Sequence, residues 1–511
     1  MLFNSYAFIC AFLPIALLGY HLTSKFGPTA AAAWLVLSSF VFYAYWNVAF
    51  VPMLMLSILF NFLLGRFLLG FGDKLEGDED SPSMKADIAL AFGIVCDLIP
   101  LMYFKYLTAI VDFFHNLVGI PGDDQSIILP LGISFYTFTQ ISYLVDCRQG
   151  QAKDLDLVRY ALFASFFPHL AAGPLLHVRE IAPQLLDRRI YAVRTENLLF
   201  GALYFVIGLS KKVILADPLA REVALGFAHP AAFGTLSSWG YVLAYSMELY
   251  FDFSGYSDMA IGLAAMFGIK FPLNFNSPYR SRCIIDFWQR WHMTLTRYLT
   301  LLLYNPISLL VARRRQKQGL PPFRRGVVDM PAFLECVAAP TLVTMALAGV
   351  WHGAGLQFLV FGLCHAFYLT VNQAWRAYGP KPREAAPIGI KASIVAAQVI
   401  VTYLAVLVGQ VFFRADSIGE AMTTLGGMLG LNGWTTPDDA GMPMPYLDLA
   451  ERFFIVWALP NSQTIMQWLA SHAAAASSLR LNYATSLAAG LLLGCDLLML
   501  PGSAVFLYFQ F

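Results

Sequence analysis

Charge is scarce in this chain. Asp, Glu, Lys and Arg make up only 13% of its 511 residues, against about 25% in an average soluble protein. A soluble exterior of this size needs more charge than that to stay wet. The charges also cancel, 33 Lys and Arg against 32 Asp and Glu. No basic surplus is left, which excludes a nucleic-acid binder. Cysteine is sparse and scattered at Cys10, Cys96, Cys147, Cys283, Cys336, Cys364 and Cys495, with no CxxC pair. That pattern excludes a disulfide scaffold and the usual zinc and redox spacings. HExxH, G-x-S-x-G and P-loop motifs are missing too, so zinc hydrolysis, nucleophile-elbow serine chemistry and nucleotide hydrolysis have no support. No metal is expected. No basic segment precedes the first apolar run, so residues 6–23 are expected as a retained span rather than a cleaved leader. No internal repeat of the kind that marks many transporters is found.

What the chain has is apolar surface: 58% hydrophobic residues and 15% aromatic, with a mean hydropathy of +0.61. A span needs about 20 apolar residues. Runs of that kind lie at 6–23, 29–48, 51–69, 88–104, 127–145, 198–215, 239–266, 332–350, 356–371, 393–413, 453–469 and 484–506. A separate amphipathic piece is expected at 106–117. The run 160–172 is short and carries Pro168, which points to a re-entrant segment. The alternation of a β-barrel is lacking. The expectation is an all-α polytopic membrane protein in the lipid bilayer, with about 10–12 spans plus re-entrant or short helices.

The few cations cluster. Arg179, Arg188, Arg189 and Arg194 share one loop, Arg313, Arg314, Arg315, Lys317, Arg324 and Arg325 a second, and Arg376, Lys381, Arg383 and Lys391 a third. The positive-inside rule makes these loops cytoplasmic and, with Lys25, puts the N-terminus outside. Topology signalling accounts for the arginines; binding an anionic cofactor phosphate or anionic lipid is the sharper alternative.

Ionisable groups inside apolar segments are costly and are functional candidates by default. Asp252, Ser254 and Asp258 lie in YFDFSGYSDMAIGLAAMFG, where helix packing and capping compete with substrate contact. In NFNSPYRSRCIIDFWQRWHMTLTRYL, Asn274, Asn276 and Pro278 form a turn, and Trp288, His292 and Leu295 are expected on one helix face beside Gln289 and Arg290. Trp351 and His352 end an apolar span and are followed by Gly353 and Gly355. A neutral imidazole there can take a proton from a hydroxyl and later return it. His365 lies thirteen residues on. On a continuous helix it would be roughly 20 Å from His352, so it is read as secondary.

Several ordered stretches carry a resemblance: LPLGISFYTFTQISYLVD (129–146), SFFPHLAAGP (165–174), GLSKKVILAD (208–217), YFDFSGYSDMAIGLAAMFG (250–268), DFWQRWHMTLTRYL (286–299), WHGAG (351–355), VFFRA (411–415), LPNSQ (459–463) and the terminal FLYFQF. With these the chain resembles the membrane-bound O-acyltransferase (MBOAT) family, in the bacterial branch that includes the membrane subunit of alginate O-acetyltransferase. The resemblance implies one membrane domain over 1–511, with N-terminal helices (1–118), a catalytic core (127–415) and C-terminal helices (450–511). It implies tilted helices around a central tunnel in a bacterial inner membrane. It makes His352 catalytic and His292 its polar partner. From the residues themselves, Asp252, Ser254, Asp258 and Trp351 are the candidates for substrate or tunnel contact. Arg290, Arg297 and Trp288 are the weak candidates for the cofactor. Acetyl-CoA is the implied donor, and an extracytoplasmic acetyltransferase or acceptor protein the implied partner in O-acetylating a polysaccharide. His169, Gln289, Tyr298, Phe361, Ala366 and the stretch 305–319 depart from the alginate pattern, which leaves the polymer open among alginate, cellulose, another exopolysaccharide and peptidoglycan. The alternatives are D-alanyl or other acyl transfer to a cell-wall polymer, a transporter of a small polar solute, and a scaffold without catalysis.

Overall fold

The computed structural model describes residues 1–72, 84–118, 128–152, 154–324, 326–380, 388–434, 446–475, 479–500 and 506–507. Ile127, Arg325, Lys381, Arg383 and the last four residues of FLYFQF lie outside the described residues. Every described regular element is a helix. The packing falls into two compact units, and α11 contributes to both.

The first unit holds residues 1–214, 253–273 and 466–510. Its helices begin with α1 (Leu13–Ser24), α2 (Pro28–Ala44), α3 (Val51–Gly72), α4 (Met84–Val118) and α5 (Ile133–Arg148). The separate piece expected at 106–117 is part of α4, which runs on through Pro100. Proline is tolerated there because neighbouring groups in a membrane bundle re-satisfy the freed backbone. The expected re-entrant run is broken into α6 (Leu157–Ser165) and α7 (Phe167–Leu170) at Phe166, with φ −51° and ψ 113°. After α8 (Val178–Leu186) comes α9 (Thr195–Ser210), followed by a wide π-type turn at Lys211–Ala216.

The core of this unit holds buried polar groups that lipid would reject. Asn61 donates to Asp97 at 2.7 Å and also bonds Gln140, which accepts from Ser57 at 3.2 Å. On α5 and α8, Ser142 Oγ meets His177 Nδ1 at 2.8 Å.

The second unit holds residues 215–252 and 274–465. It opens with α10 (Ala220–Ala228) and the first half of α11 (Thr235–Met266). The second half of α11 returns to the first unit, where it crosses α9 at two reciprocal glycine pairs. A Cβ on Gly201 would sit 2.5 Å from the Gly262 carbonyl, and one on Gly208 would sit 2.5 Å from that of Gly255. Small residues let two backbones approach this closely in a membrane, where packing drives association. Beside the crossing, Lys211 Nζ and Asp258 Oδ2 pair at 2.6 Å.

The rest of the second unit runs through α12 (Ile284–Trp288), α13 (Met293–Leu299), α14 (Asn305–Lys317), α15 (Met330–Phe333), α16 (Ala339–His352), α17 (Leu356–Tyr378), α18 (Ile388–Arg414), α19 (Ile418–Met428) and α20 (Tyr446–Ala458). Next, α21 (Ser462–Ala475) leads back to the first unit, and α22 (Leu479–Met499) belongs there. Helices α16 and α17 form a tight antiparallel hairpin. A Cβ on Gly362 would meet the Met345 carbonyl at 2.3 Å.

Seven described helical stretches are long and apolar enough to cross a membrane: Ala7–Ser24, Val48–Phe71, Met84–Val111, Thr195–Ala228, Met293–Lys317, Met330–His352 and Gly389–Arg414. Two shorter apolar ones are Pro28–Ala44 and Thr485–Met499. Two expected spans, α11 and α17, have the length but are less apolar, because polar side chains line their buried faces.

Candidate active site

His352 is the last residue of α16, and the chain leaves the helix at Gly353 in an extended conformation. The imidazole is 6% exposed. Its ring packs against Trp351 at 4.8 Å, Phe413 at 5.0 Å and Phe361 at 5.8 Å between centroids. The ring of Phe358 passes so close over Gly353 that a Cβ there would lie 2.1 Å from it. These contacts fix the imidazole at the mouth of the α16–α17 turn.

His292 does not continue a helix from Trp288. Helix α12 stops at Trp288, and His292 adopts φ 43°, ψ 53° as the residue before α13. The expected shared face of Trp288, His292 and Leu295 therefore does not form. A left-handed conformation is uncommon for a residue with a Cβ. Among the described residues only Ser277 and His292 combine a positive φ with a side chain. Asn274 holds His292 there. Its Oδ1 accepts from His292 Nδ1 at 3.0 Å, from the Thr294 hydroxyl at 2.9 Å and from the Thr294 amide at 3.3 Å. Its own carbonyl accepts from the Met293 amide at 2.9 Å. The Thr294 amide can only donate, so the Asn274 atom facing it is the oxygen. His292 then carries its proton on Nδ1, and in the neutral ring Nε2 is the basic nitrogen.

His365 stands closer to this site than a continuous helix allows. The chain turns back at 353–355, and Phe361 contacts both His352 and, at 4.7 Å, His365. His365 Nδ1 accepts from the indole N–H of Trp288 at 3.2 Å. Gly409 makes room on the other side, since a Cβ there would lie 2.7 Å from His365 Nε2.

The other candidates separate. Asp252 is buried in the second unit. Ser254 and Asp258 belong to the first, where Asp258 pairs with Lys211. Arg290 braces its own turn through Asp286 at 2.7 Å. Arg297 sits in the last turn of α13. Among the described residues, no group of three or more His, Cys, Asp or Glu is placed to hold a metal ion.

Two adjoining cavities lie in the second unit. The smaller one, about 230 Å³, is lined by Trp288, Thr296, Leu299, Thr344, Met345 and Leu369 among others. The larger one, about 630 Å³, is lined by Ser308, Phe333, Cys336, Val337 and Arg376 among others. Ile285, Gln289, Tyr304 and Gln373 line both. Thr344 Oγ1 and Gln373 Oε1 are buried without a hydrogen bond among the described residues. Two π-type turns, Thr300–Tyr304 and Leu334–Ala338, flank the space. Such turns are frequent at functional sites.

The basic stretch expected as a loop is mostly the end of α14, where Arg313, Arg314 and Lys317 are exposed. Arg315 is not: it is 3% exposed, 3.2 Å from Glu335 and 3.9 Å from Asp329, and it bonds the Pro321 carbonyl. It braces the turn instead of presenting charge. In the sequence Asn274 reads only as a turn residue, Phe361 only as a departure from the alginate pattern and Phe413 only as part of VFFRA, and Thr344 and Gln373 do not stand out. A side-chain bond across eighteen residues leaves no periodic signal.

The profile of the MBOAT, membrane-bound O-acyltransferase family matches residues 98–318. A peptidoglycan O-acetyltransferase of Helicobacter pylori is 35% identical over 460 residues, covering 85% of this chain and 80% of the relative. A probable alginate O-acetylase AlgI of Azotobacter vinelandii is 34% identical over 446 residues, covering 86% and 80%. The chain belongs to the membrane-bound O-acyltransferase family. It is therefore an O-acyltransferase and a multi-pass membrane protein. Similarity extends more weakly to a teichoic acid D-alanyltransferase of Bacillus subtilis, 28% identical over 268 residues, 52% of this chain and 62% of the relative. Within this O-acyltransferase, the profile match takes in His292 and ends before His352.

Proposed function

We propose that this enzyme moves an acetyl group from cytoplasmic acetyl-CoA to a hydroxyl outside a bacterial inner membrane, for O-acetylation of a polysaccharide. The observation that carries this reading is the position of His352 relative to the cavities. The larger cavity adjoins the start of α16 and the end of α17, beside Arg376 and the basic end of α14, while His352, which lines neither cavity, ends α16 at the other side. An anionic donor with an extended arm suits a larger cavity beside Arg376 that adjoins a smaller one. Thr344 Oγ1 and Gln373 Oε1 are groups an amide-bearing arm can engage. The O-acetyltransferase and O-acetylase names of the relatives favour acetyl and a polymer acceptor. D-alanyl transfer is the weaker reading, since those relatives align over about half the chain.

In this mechanism His352 is the general base. It removes the proton of the acceptor hydroxyl as the oxygen attacks the thioester carbonyl. The tetrahedral intermediate collapses with cleavage of the C–S bond, and the imidazolium returns the proton to the leaving thiolate. His292, protonated on Nδ1, accepts at Nε2 from a second, neighbouring hydroxyl of the acceptor and so orients the one that reacts. An extracytoplasmic acetyltransferase or acceptor protein completes delivery to the polymer, with the N-terminus of this chain on the same outer side. The test compares wild type with His352→Ala at equal membrane levels, measuring ester-linked acetate on the cell polysaccharide. Loss of acetate is expected, and unchanged acetate overturns the catalytic role. Failure of purified enzyme to consume labelled acetyl-CoA overturns the donor.

A further inference from the structure

LPNSQ (459–463) spans the connection from α20 to α21, in the second unit with His292. Asn461 stands just before the first residue of α21, and its side chain makes two sets of bonds. Oδ1 accepts from the Thr464 amide at 2.9 Å and from the Thr464 hydroxyl at 2.8 Å. The Asn461 carbonyl accepts from the Ile465 amide at 3.0 Å. That combination is a helix N-cap. The Thr464 amide can only donate, so the atom facing it is the oxygen, and Nδ2 is left to face the other way. There it donates to Asn276 Oδ1 and to Ser277 Oγ, both at 2.9 Å.

The segment that Asn461 grips is the one that supports His292. The Asn276 amide donates to the Arg290 carbonyl at 2.9 Å, and the Met293 amide donates to the Asn274 carbonyl at 2.9 Å. Residues 274–276 and 290–293 are thus joined by two backbone bonds, with His292 between them. Asn274 Oδ1 holds the ring from the same segment. Ser277 ends that segment with φ 47° and ψ 59°, the left-handed conformation it shares with His292. A backbone of that kind persists only where its surroundings over-determine it. The α20–α21 connection does so from both sides. Arg280 Nε donates to the Val456 carbonyl at 2.9 Å and the Trp457 indole to the Tyr279 carbonyl at 3.0 Å, which fixes 279–280. Asn461 fixes 276–277, the half of the turn next to Asn274.

We infer that Asn461 is a positioning residue for the transfer reaction, acting through Asn276 and Ser277 on Asn274 and so on the ring of His292. Its Nδ2 sets where the 274–277 segment lies. Asn274 then sets where the imidazole lies and which nitrogen carries the proton. Capping alone asks for less, because the oxygen of a serine caps a helix about as well as that of an asparagine. The two bonds from Nδ2 add nothing to the cap. They matter to the reaction because rate depends on fine placement, and a shift of about 1 Å can cost roughly a hundredfold. The inference rests on the acyl-transfer reading.

The test uses full-length enzyme at equal levels in membranes of the expressing host. Labelled acetyl-CoA is supplied, and acetyl ester is measured on the host polysaccharide, de-O-acetylated by mild alkali. Asn461→Ser keeps a capping oxygen and loses both bonds to the turn. Asn276→Ala removes one of those bonds from the other end and leaves the helix untouched. Thr464→Val weakens the cap and leaves the turn held. Asn461→Ser is expected to lower kcat about tenfold, Asn276→Ala to lower it less, and Thr464→Val to keep it, with KM for acetyl-CoA moving little in all three. The melting temperature of Asn461→Ser in detergent should not fall below that of Thr464→Val. Added to Asn274→Ala, Asn461→Ser should cost no more than about twofold, since groups on one path do not add. Wild-type kcat in both Asn461→Ser and Asn276→Ala overturns the inference. An equal loss in Thr464→Val overturns it by making the cap the cause, and a loss that multiplies in full with that of Asn274→Ala overturns it by making the two independent. If wild type and His352→Ala form ester alike, the acyl-transfer reading itself falls. If those two differ while the Asn461 and Asn276 variants match wild type, the positioning role alone falls.

Discussion

Asn274 Oδ1 accepts the Nδ1 proton of His292 at 3.0 Å, and the same oxygen takes both donors of Thr294. One amide thus sets the tautomer of the ring and holds the backbone in a conformation that costs of order 1–3 kcal/mol elsewhere. Leaving a buried ring nitrogen without its partner costs about 1–3 kcal/mol, which lost from the transition state is roughly 10–100-fold in rate. Asn274→Ala should lower kcat by about that factor, while Asn274→Asp, which keeps an acceptor, should recover most of it. Steady-state kinetics on purified enzyme decides this. Equal loss in both variants would mean the oxygen does not position the ring.

Trp288 and His365 make a second supporting pair. Trp288→Phe keeps the apolar bulk but leaves His365 Nδ1 buried without its donor. A loss of about 1–3 kcal/mol in stability is expected. Gly409→Ala should strain the same histidine from the opposite side, since its Cβ would fall 2.7 Å from Nε2. Melting curves in detergent read both. Unchanged curves would show that His365 has another support.

Asp258 tests a structural assignment against a functional one. Its partner Lys211 has a side chain only 12% exposed. Breaking a buried pair from one side costs about 3–5 kcal/mol. Asp258→Ala should therefore lower the melting temperature sharply, and the double variant Lys211→Met with Asp258→Leu should restore much of it. A raised KM for acceptor at normal stability would return Asp258 to the substrate path.

The proposed donor cavity is tested at Gln373 and Thr344. Gln373→Leu and Thr344→Val remove buried groups that bond nothing in the described structure. If an amide-bearing donor arm uses them, KM for acetyl-CoA should rise about fivefold per lost hydrogen bond of about 1 kcal/mol. That KM should also climb with ionic strength, because exposed charges beside the cavity are screened. A KM indifferent to both variants and to salt would place the donor elsewhere.

Many spans were legible because lipid demands long apolar runs, but the expected span 453–469 is divided between α20 and α21 at Pro460; the two histidines stood out because lipid rejects polar groups. Three particulars were not legible. His292 leaves helical geometry because of Asn274, and a bond across eighteen residues has no local signature. His365 comes near His352 because WHGAG turns the chain, and three small residues do not announce a reversal. Arg315 looked like one more loop cation, and only the fold brings Glu335 and Asp329 to it. Helix α4 passed its proline because neighbours, not residues within the helix, decide whether the break occurs.

The interlocked glycines of α9 and α11 have a kinematic consequence. Gly201 meets Gly262 and Gly208 meets Gly255, so the pairs are seven residues apart on each helix. That spacing is nearly two full turns, and it works like a key with two teeth. Sliding either helix by one residue would drive Cβ atoms into the carbonyls of the other at both pairs together. The two helices can move as one rod but not as a piston. Whatever motion accompanies turnover must then come from segments without such teeth.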